Sequence, residues 1–88
     1  MDRSLQESIF KEILDERAYQ ENKWKGQRNT EADWSAFCCE YARGSSTRTK
    51  DRDFRTRMVK VAALALAAIE AVDEGTIIEK NAIGLEVS

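Results

Sequence analysis

Histidine and proline are both absent from this 88-residue chain, glycine occurs four times and cysteine twice. Each scarcity excludes something. Without histidine there is no nucleophile–imidazole–acid triad and no imidazole to hold a metal. Cys38 and Cys39 are the only thiols. Adjacent cysteines pair badly across one peptide bond, so two reduced thiols on a helix are expected rather than a disulfide framework. Two thiols with no further thiol or imidazole make no zinc site, and a helix middle offers neither thiol a clear activating base. No glycine-rich phosphate loop is present, because Gly44-Ser-Ser-Thr-Arg-Thr lacks the Gly-Lys-Ser/Thr that such a loop needs. The first residues, Met-Asp-Arg-Ser-Leu-Gln-Glu, lack the apolar core of a secretion signal, which predicts an intracellular, cytoplasmic protein. The lack of proline and the scarcity of glycine favour helices.

What the chain does have is an apolar rod. From Val61 to Ile69 no side chain is polar. A bilayer needs about 20 such residues, so no membrane span is expected. A helix apolar on every side must be buried in protein. A chain this short buries only about 60–65% of its unfolded surface, so it can hardly enclose the rod alone. The rod therefore predicts a homo-oligomer, a dimer or tetramer, with this helix at its centre.

The rest of the sequence predicts an all-α fold: a small bundle of three main helices over residues 1–75 and a tail over 76–88 that packs on the bundle or on a neighbouring subunit. The first helix is expected over about Leu5–Lys23, opened by a Ser4/Glu7 capping box. Leu5, Ile9 and Ile13 recur at helical spacing, continuing to Arg17 or Ala18, with Phe10 and Leu14 widening the stripe. Residues 22–29 form a loop in which Gly26 permits a positive φ and Trp24 packs the loop down or offers a stacking face. The second helix starts at Asn29 or Thr30 with a Thr30/Asp33 capping box, buries Trp34, Phe37, Cys38, Tyr41 and Ala42, and ends at Gly44. The third runs from Asp51 or Arg52 to Asp73, with Gly75 as the stop. The tail has a strand-like alternation at Leu85-Glu-Val.

Charge is unevenly spread. Residues 1–42 carry a net −3, residues 43–60 a net +5 and residues 61–88 a net −4. The basic middle can bind phosphates, can serve as a nucleic-acid-binding module, or can pair with its acidic flanks. The acidic pI and the want of a helix-turn-helix pattern make nucleic acid the weaker of these. Magnesium is the other chemical route, through Glu12, Asp15, Glu16 and Glu40, if the first two helices pack side by side.

The order Glu16-Arg-Ala-Tyr-Gln-Glu-Asn-Lys-Trp24, then Asn29-Thr-Glu-Ala-Asp-Trp34, then Val59-Lys-Val-Ala-Ala-Leu-Ala-Leu-Ala-Ala-Ile-Glu-Ala71, resembles small phage-type relatives of the MazG-like, all-α nucleotide pyrophosphohydrolases. The likeness covers about residues 10–73. Active members of that family hold magnesium over a nucleoside triphosphate with a Glu-Glu-x-x-Glu motif and a later Glu-x-x-Asp motif. Aligned on Trp34, the first falls at Glu40–Gly44, where only Glu40 survives. The second falls at Arg57–Lys60, where both acids have become bases. The resemblance thus implies a non-catalytic helical oligomer of phage or prophage origin, without a metal cofactor, that binds a nucleotide or a host protein. Arg43, Arg57 and Lys60 would hold phosphate and Trp24 or Tyr41 would stack on a base, unless Glu40 simply pairs with Arg57 or Lys60 across the bundle. The alternative it allows is a divergent magnesium-dependent pyrophosphohydrolase using Glu12, Glu16 and Glu40.

Overall fold

A computed structural model of the protein describes residues 2–44 and 53–78. They form three helices: α1 (Arg3–Lys23), α2 (Glu31–Arg43) and α3 (Phe54–Glu74). The bundle is all-α, as the composition implies. Among the described residues the only strand-like pairing is an isolated parallel bridge between Thr30 and Ile78. No helix among them is long and apolar enough to cross a membrane.

The helix ends follow from local chemistry. Thr30 and Asp33 form the expected capping box: the Thr30 hydroxyl accepts from the Asp33 N–H at 3.1 Å, and the Asp33 carboxylate accepts from the Thr30 N–H at 3.0 Å. Gly44 and Gly75 end α2 and α3 in the left-handed conformation, at φ 67° and 72°. Two starts differ from the sequence reading. Asp2 rather than Ser4 caps α1, accepting from the Ser4 N–H. Asp53 caps α3, two residues later than Asp51, because its carboxylate takes both the Thr56 N–H at 2.8 Å and the Thr56 hydroxyl at 2.7 Å.

α3 is the central element. α1 and α2 each pack along it and not on each other. Glu12 meets Arg55, Glu16 meets Lys60, and Arg17 meets Glu70, so α1 and α3 run in the same direction. α2 runs the other way: its end at Gly44 sits against Arg57, near the start of α3, and its start at Thr30 lies beside Ile78. Among the described residues the buried apolar ones come from α3, Ala63, Leu64, Ala67 and Ala71, with Leu64 the large side chain that is fully enclosed.

Several expected core positions are open to solvent. On α1, Ile9 and Ile13 are half-buried, but Leu5, Phe10 and Leu14 are exposed. α1 touches α3 along one narrow line, and the ion pairs with Arg55, Lys60 and Glu70 occupy much of it. Ala42, expected on the inner face of α2, is exposed as well. The tail packs on its own chain as far as it is described: the Ile78 N–H donates to the Asn29 carbonyl at 3.0 Å. Leu85 and Val87 lie outside the described residues, as do Asp51 and Arg52.

Candidate functional site

A cavity of about 640 Å³ opens where α1 and α2 diverge over the C-terminal half of α3. Its origin is a side-chain size effect. Ala67 and Ala71 form the floor beside Leu64, and side chains that small leave the space between the flanking helices unfilled. The volume falls within the range of small-molecule sites, about 300–1,000 Å³.

Aromatic rings and amides make the walls. α2 contributes Trp34, Phe37 and Tyr41, successive positions of one helical face. The Trp34 and Phe37 rings meet edge to face, 6.1 Å between centroids. Trp24 closes the mouth from the loop, with the Lys23 ammonium 5.3 Å from its ring centroid. Gln27 and Asn29 hold the loop beside it, the Gln27 side-chain Nε2 donating to Asn29 Oδ1 at 3.4 Å.

Two buried polar atoms on this wall lack partners. The Gln20 side chain is 3% exposed. Its Nε2 donates to Glu16 Oε2 at 3.2 Å and to the Lys60 carbonyl at 3.3 Å. Both partners are acceptors, which fixes the amide orientation and turns Oε1 the other way. No group among the described residues donates to Gln20 Oε1, and none accepts from Trp34 Nε1. An unmatched buried donor or acceptor costs about 1–3 kcal/mol. Both residues line the cavity, but the two atoms are enclosed in its wall, so a ligand meets them only if the wall shifts.

Charge at the site is ordered by Arg17. Its guanidinium bonds Glu70 through Nε at 3.1 Å and Nη2 at 2.6 Å, and Nη2 also meets Glu21 at 2.6 Å. Burial opposes the charge, but the bonds to Glu70 and then Glu21 outweigh it and hold the guanidinium protonated above its ordinary value. With Glu74 also on the wall, this end of the cavity carries three acids against Arg17 and Lys23.

The five residues singled out from the sequence do not form one cluster. Trp24 and Tyr41 line the cavity. Lys60 lies outside it and faces Glu16, 3.6 Å away. Arg57 lies one turn further toward the start of α3, packed against Gly44 and 5.7 Å from the Phe54 ring centroid. Arg43 is exposed on the last turn of α2. The three carboxylates of the magnesium alternative are also separated. Glu12 is bidentate to Arg55 at 2.7 and 2.9 Å, Glu16 faces Lys60, and Glu40 is on α2, which does not pack against α1. The Arg55 hydrogen bonds and charge pull the Glu12 carboxyl below its usual range. Among the described residues no three acids or thiols gather to hold a metal ion. The acids present do not fit magnesium.

Of the thiols, Cys38 is half-buried, and burial followed by the neighbouring Cys39 pushes it above the ordinary thiol value, away from the reactive thiolate.

Sequence reasoning missed Gln20 and Asn29, the buried polar residues. A signal existed for the first: Gln20 continues the Ile9–Ile13 stripe one step on from Arg17, and a glutamine at an apolar stripe position asks for a special environment. No known family model, curated protein or solved structure matches this chain.

Proposed function

We propose that the protein is a non-catalytic helical oligomer that binds a nucleotide, with the base in the cavity and the phosphates directed back along α3 toward Lys60, Arg57 and Arg43. The observation that carries this is the cavity wall, where Trp24, Trp34, Phe37 and Tyr41 stand around the buried amide side chain of Gln20. A nucleobase is flat enough to lie between Trp24 and Tyr41, and its edge offers both a donor and an acceptor.

Electrostatics supports one orientation. Glu21, Glu70 and Glu74 repel phosphate from the end of the cavity nearest Gly75. The basic residues begin one turn before Leu64, and the seven steps from Arg57 to Leu64 span about 10 Å of helix at 1.5 Å per residue. That is the reach of a short phosphate chain. The resemblance to phage-type MazG-like proteins fits the same reading, since Arg17, Gln20, Lys23, Trp24, Asn29 and Trp34 all line this cavity.

The alternatives draw less support. Pyrophosphohydrolysis needs clustered acids, which the separated Glu12, Glu16 and Glu40 do not provide. For nucleic-acid binding through 43–60, Arg55 is already held by Glu12. A host-protein partner would have to use the exposed Leu5, Phe10 and Leu14 of α1.

The test is calorimetric titration with mono-, di- and triphosphate nucleosides, with and without magnesium, alongside a phosphate-release assay. Binding that survives chelation, with no release, is expected. Absence of heat at millimolar nucleotide would refute the proposal, and magnesium-dependent release would replace it with the hydrolase reading.

A further inference from the structure

The face of α3 turned away from the cavity has a repeat of its own. Phe54, Met58, Val61, Ala65, Ala68 and Val72 follow one another at intervals of 4, 3, 4, 3 and 4, the spacing of a coiled-coil seam. Ala63, Ala67 and Ala71 lie further round the helix, and Leu64 borders the seam, one turn from both Val61 and Ala68. The four inner seam residues, Met58, Val61, Ala65 and Ala68, are half-buried in the single chain. Both ends of the seam are open: Phe54 is 65% and Val72 61% exposed, with Ile69 beside them at 59%. We propose that this seam binds the same seam of a second copy of the chain, the two α3 helices running antiparallel.

A second copy is favoured over any other occupant because the seam is its own complement. The interval pattern reads the same in both directions. Reversing one helix about residue 63 sets Met58 over Ala68 and Val61 over Ala65, so a large side chain meets a small one at each inner layer. A parallel, in-register pair would instead stack alanine on alanine and Phe54 on Phe54. Charge selects the same order. The first half of α3 carries Arg55, Arg57 and Lys60, and the last turns carry Glu70, Asp73 and Glu74. Lys60 and Glu70 face α1 within the chain, so the charges left to meet across an antiparallel pair are Arg55, which also holds Glu12, and Asp73, on the same edge of the seam and within about 3 Å of axial rise of each other. Parallel pairing would place like charges together. The single chain also has a reason to pair, since it fully encloses one large side chain, Leu64, and three alanines make up the rest of its buried apolar core.

This inference deepens the oligomeric part of the proposed function and rests on it. It does not depend on what the cavity binds. Sedimentation equilibrium of the full chain at micromolar concentration tests it. The unaltered chain is expected at twice its 10.0 kDa mass or a multiple of that. Ala65→Glu and Val72→Glu should each weaken self-association more than about tenfold, because the pair would have to bury a carboxylate. Val72 is exposed in the single chain, so helicity by circular dichroism should be kept in that variant. Ala32→Glu, an equally charged change on the exposed side of α2, should leave association unchanged. Asp73→Arg should weaken it several-fold at low salt and less at high salt. An unaltered chain that sediments at 10.0 kDa overturns both the seam and the oligomer. An oligomer indifferent to Ala65→Glu and Val72→Glu keeps the oligomer and overturns the seam. One lost in those variants but unmoved by Asp73→Arg overturns the antiparallel order.

Discussion

The sharpest constraint on a single residue is at Gly44. A Cβ placed there would come within 2.6 Å of Arg57 Cδ and 2.7 Å of its Nε, at a φ of 67° that side-chain-bearing residues avoid. Gly75 has nearly the same φ, 72°, with nothing within 4 Å of such a Cβ. The two glycines therefore separate backbone strain from steric clash. Gly75→Ala is expected to cost about 1 kcal/mol, from the left-handed conformation alone. Gly44→Ala should cost clearly more, about 2–3 kcal/mol once the clash is added, and the excess should vanish in an Arg57→Ala background. Urea melts at matched protein concentration would show it, and equal losses at the two sites would mean that Arg57 moves aside freely. That Gly44 ends a helix was readable from its position after Arg43. That Arg57 leans on it was not, because the two residues come together only when α2 folds back along α3.

The caps carry the predictions at the level of the helix. Thr30→Ala removes the hydroxyl that accepts from Asp33 and should lower stability by about 1 kcal/mol in the same melts. Asp53 adds a pH dependence. Its hydrogen bonds from the Thr56 hydroxyl and backbone hold its carboxyl below the ordinary aspartate value, about 3.9. A group whose folded pKa is depressed stabilises the fold in full above its unfolded pKa and loses that stabilisation as pH falls through the folded one. The acid limb of unfolding below about pH 4 should therefore flatten in Asp53→Asn, while stability at neutral pH changes little, since asparagine also caps well. An acid limb identical to that of the unaltered chain would show that other carboxylates set it. Helix positions were largely legible because capping is a short-range signal: Thr30, Asp33, Gly44 and Gly75 all act within four residues. The two misplaced starts had rival oxygens within two residues, Asp2 against Ser4 and Asp53 against Asp51. Only the contacts of the folded backbone decide between such rivals.

For the molecule as a whole, the cavity and the outer seam share one helix and can be tested apart. Ala67→Leu raises the cavity floor without touching the seam. It should abolish nucleotide binding in calorimetry while keeping the melting temperature or raising it, because the added methyls enter open space. A variant that still binds would place the ligand elsewhere. The melting temperature of the unaltered chain should rise with protein concentration, as it does for any fold coupled to self-association. The same alanine-rich rod creates both features. Toward α1 and α2 its small side chains leave a cavity, and on the far side Phe54, Ile69 and Val72 stay exposed.

By itself the sequence determined the all-α class, the three helices and most of their caps, because periodicity and capping depend on residues a few positions apart. The apolar rod was legible for the same reason, but in the single chain only its Ala63, Leu64 and Ala67 are buried, and Ile69 is exposed. The tertiary structure alone decided that α1 and α2 lie apart on α3. That placed Trp24, Tyr41, Gln20 and Trp34 around one cavity and sent Arg57 and Lys60 elsewhere. It also scattered Glu12, Glu16 and Glu40. The physical reason is that the space between two helices is filled or left open by the side chains of the third, and no local pattern in α1 or α2 records the size of an alanine at position 67.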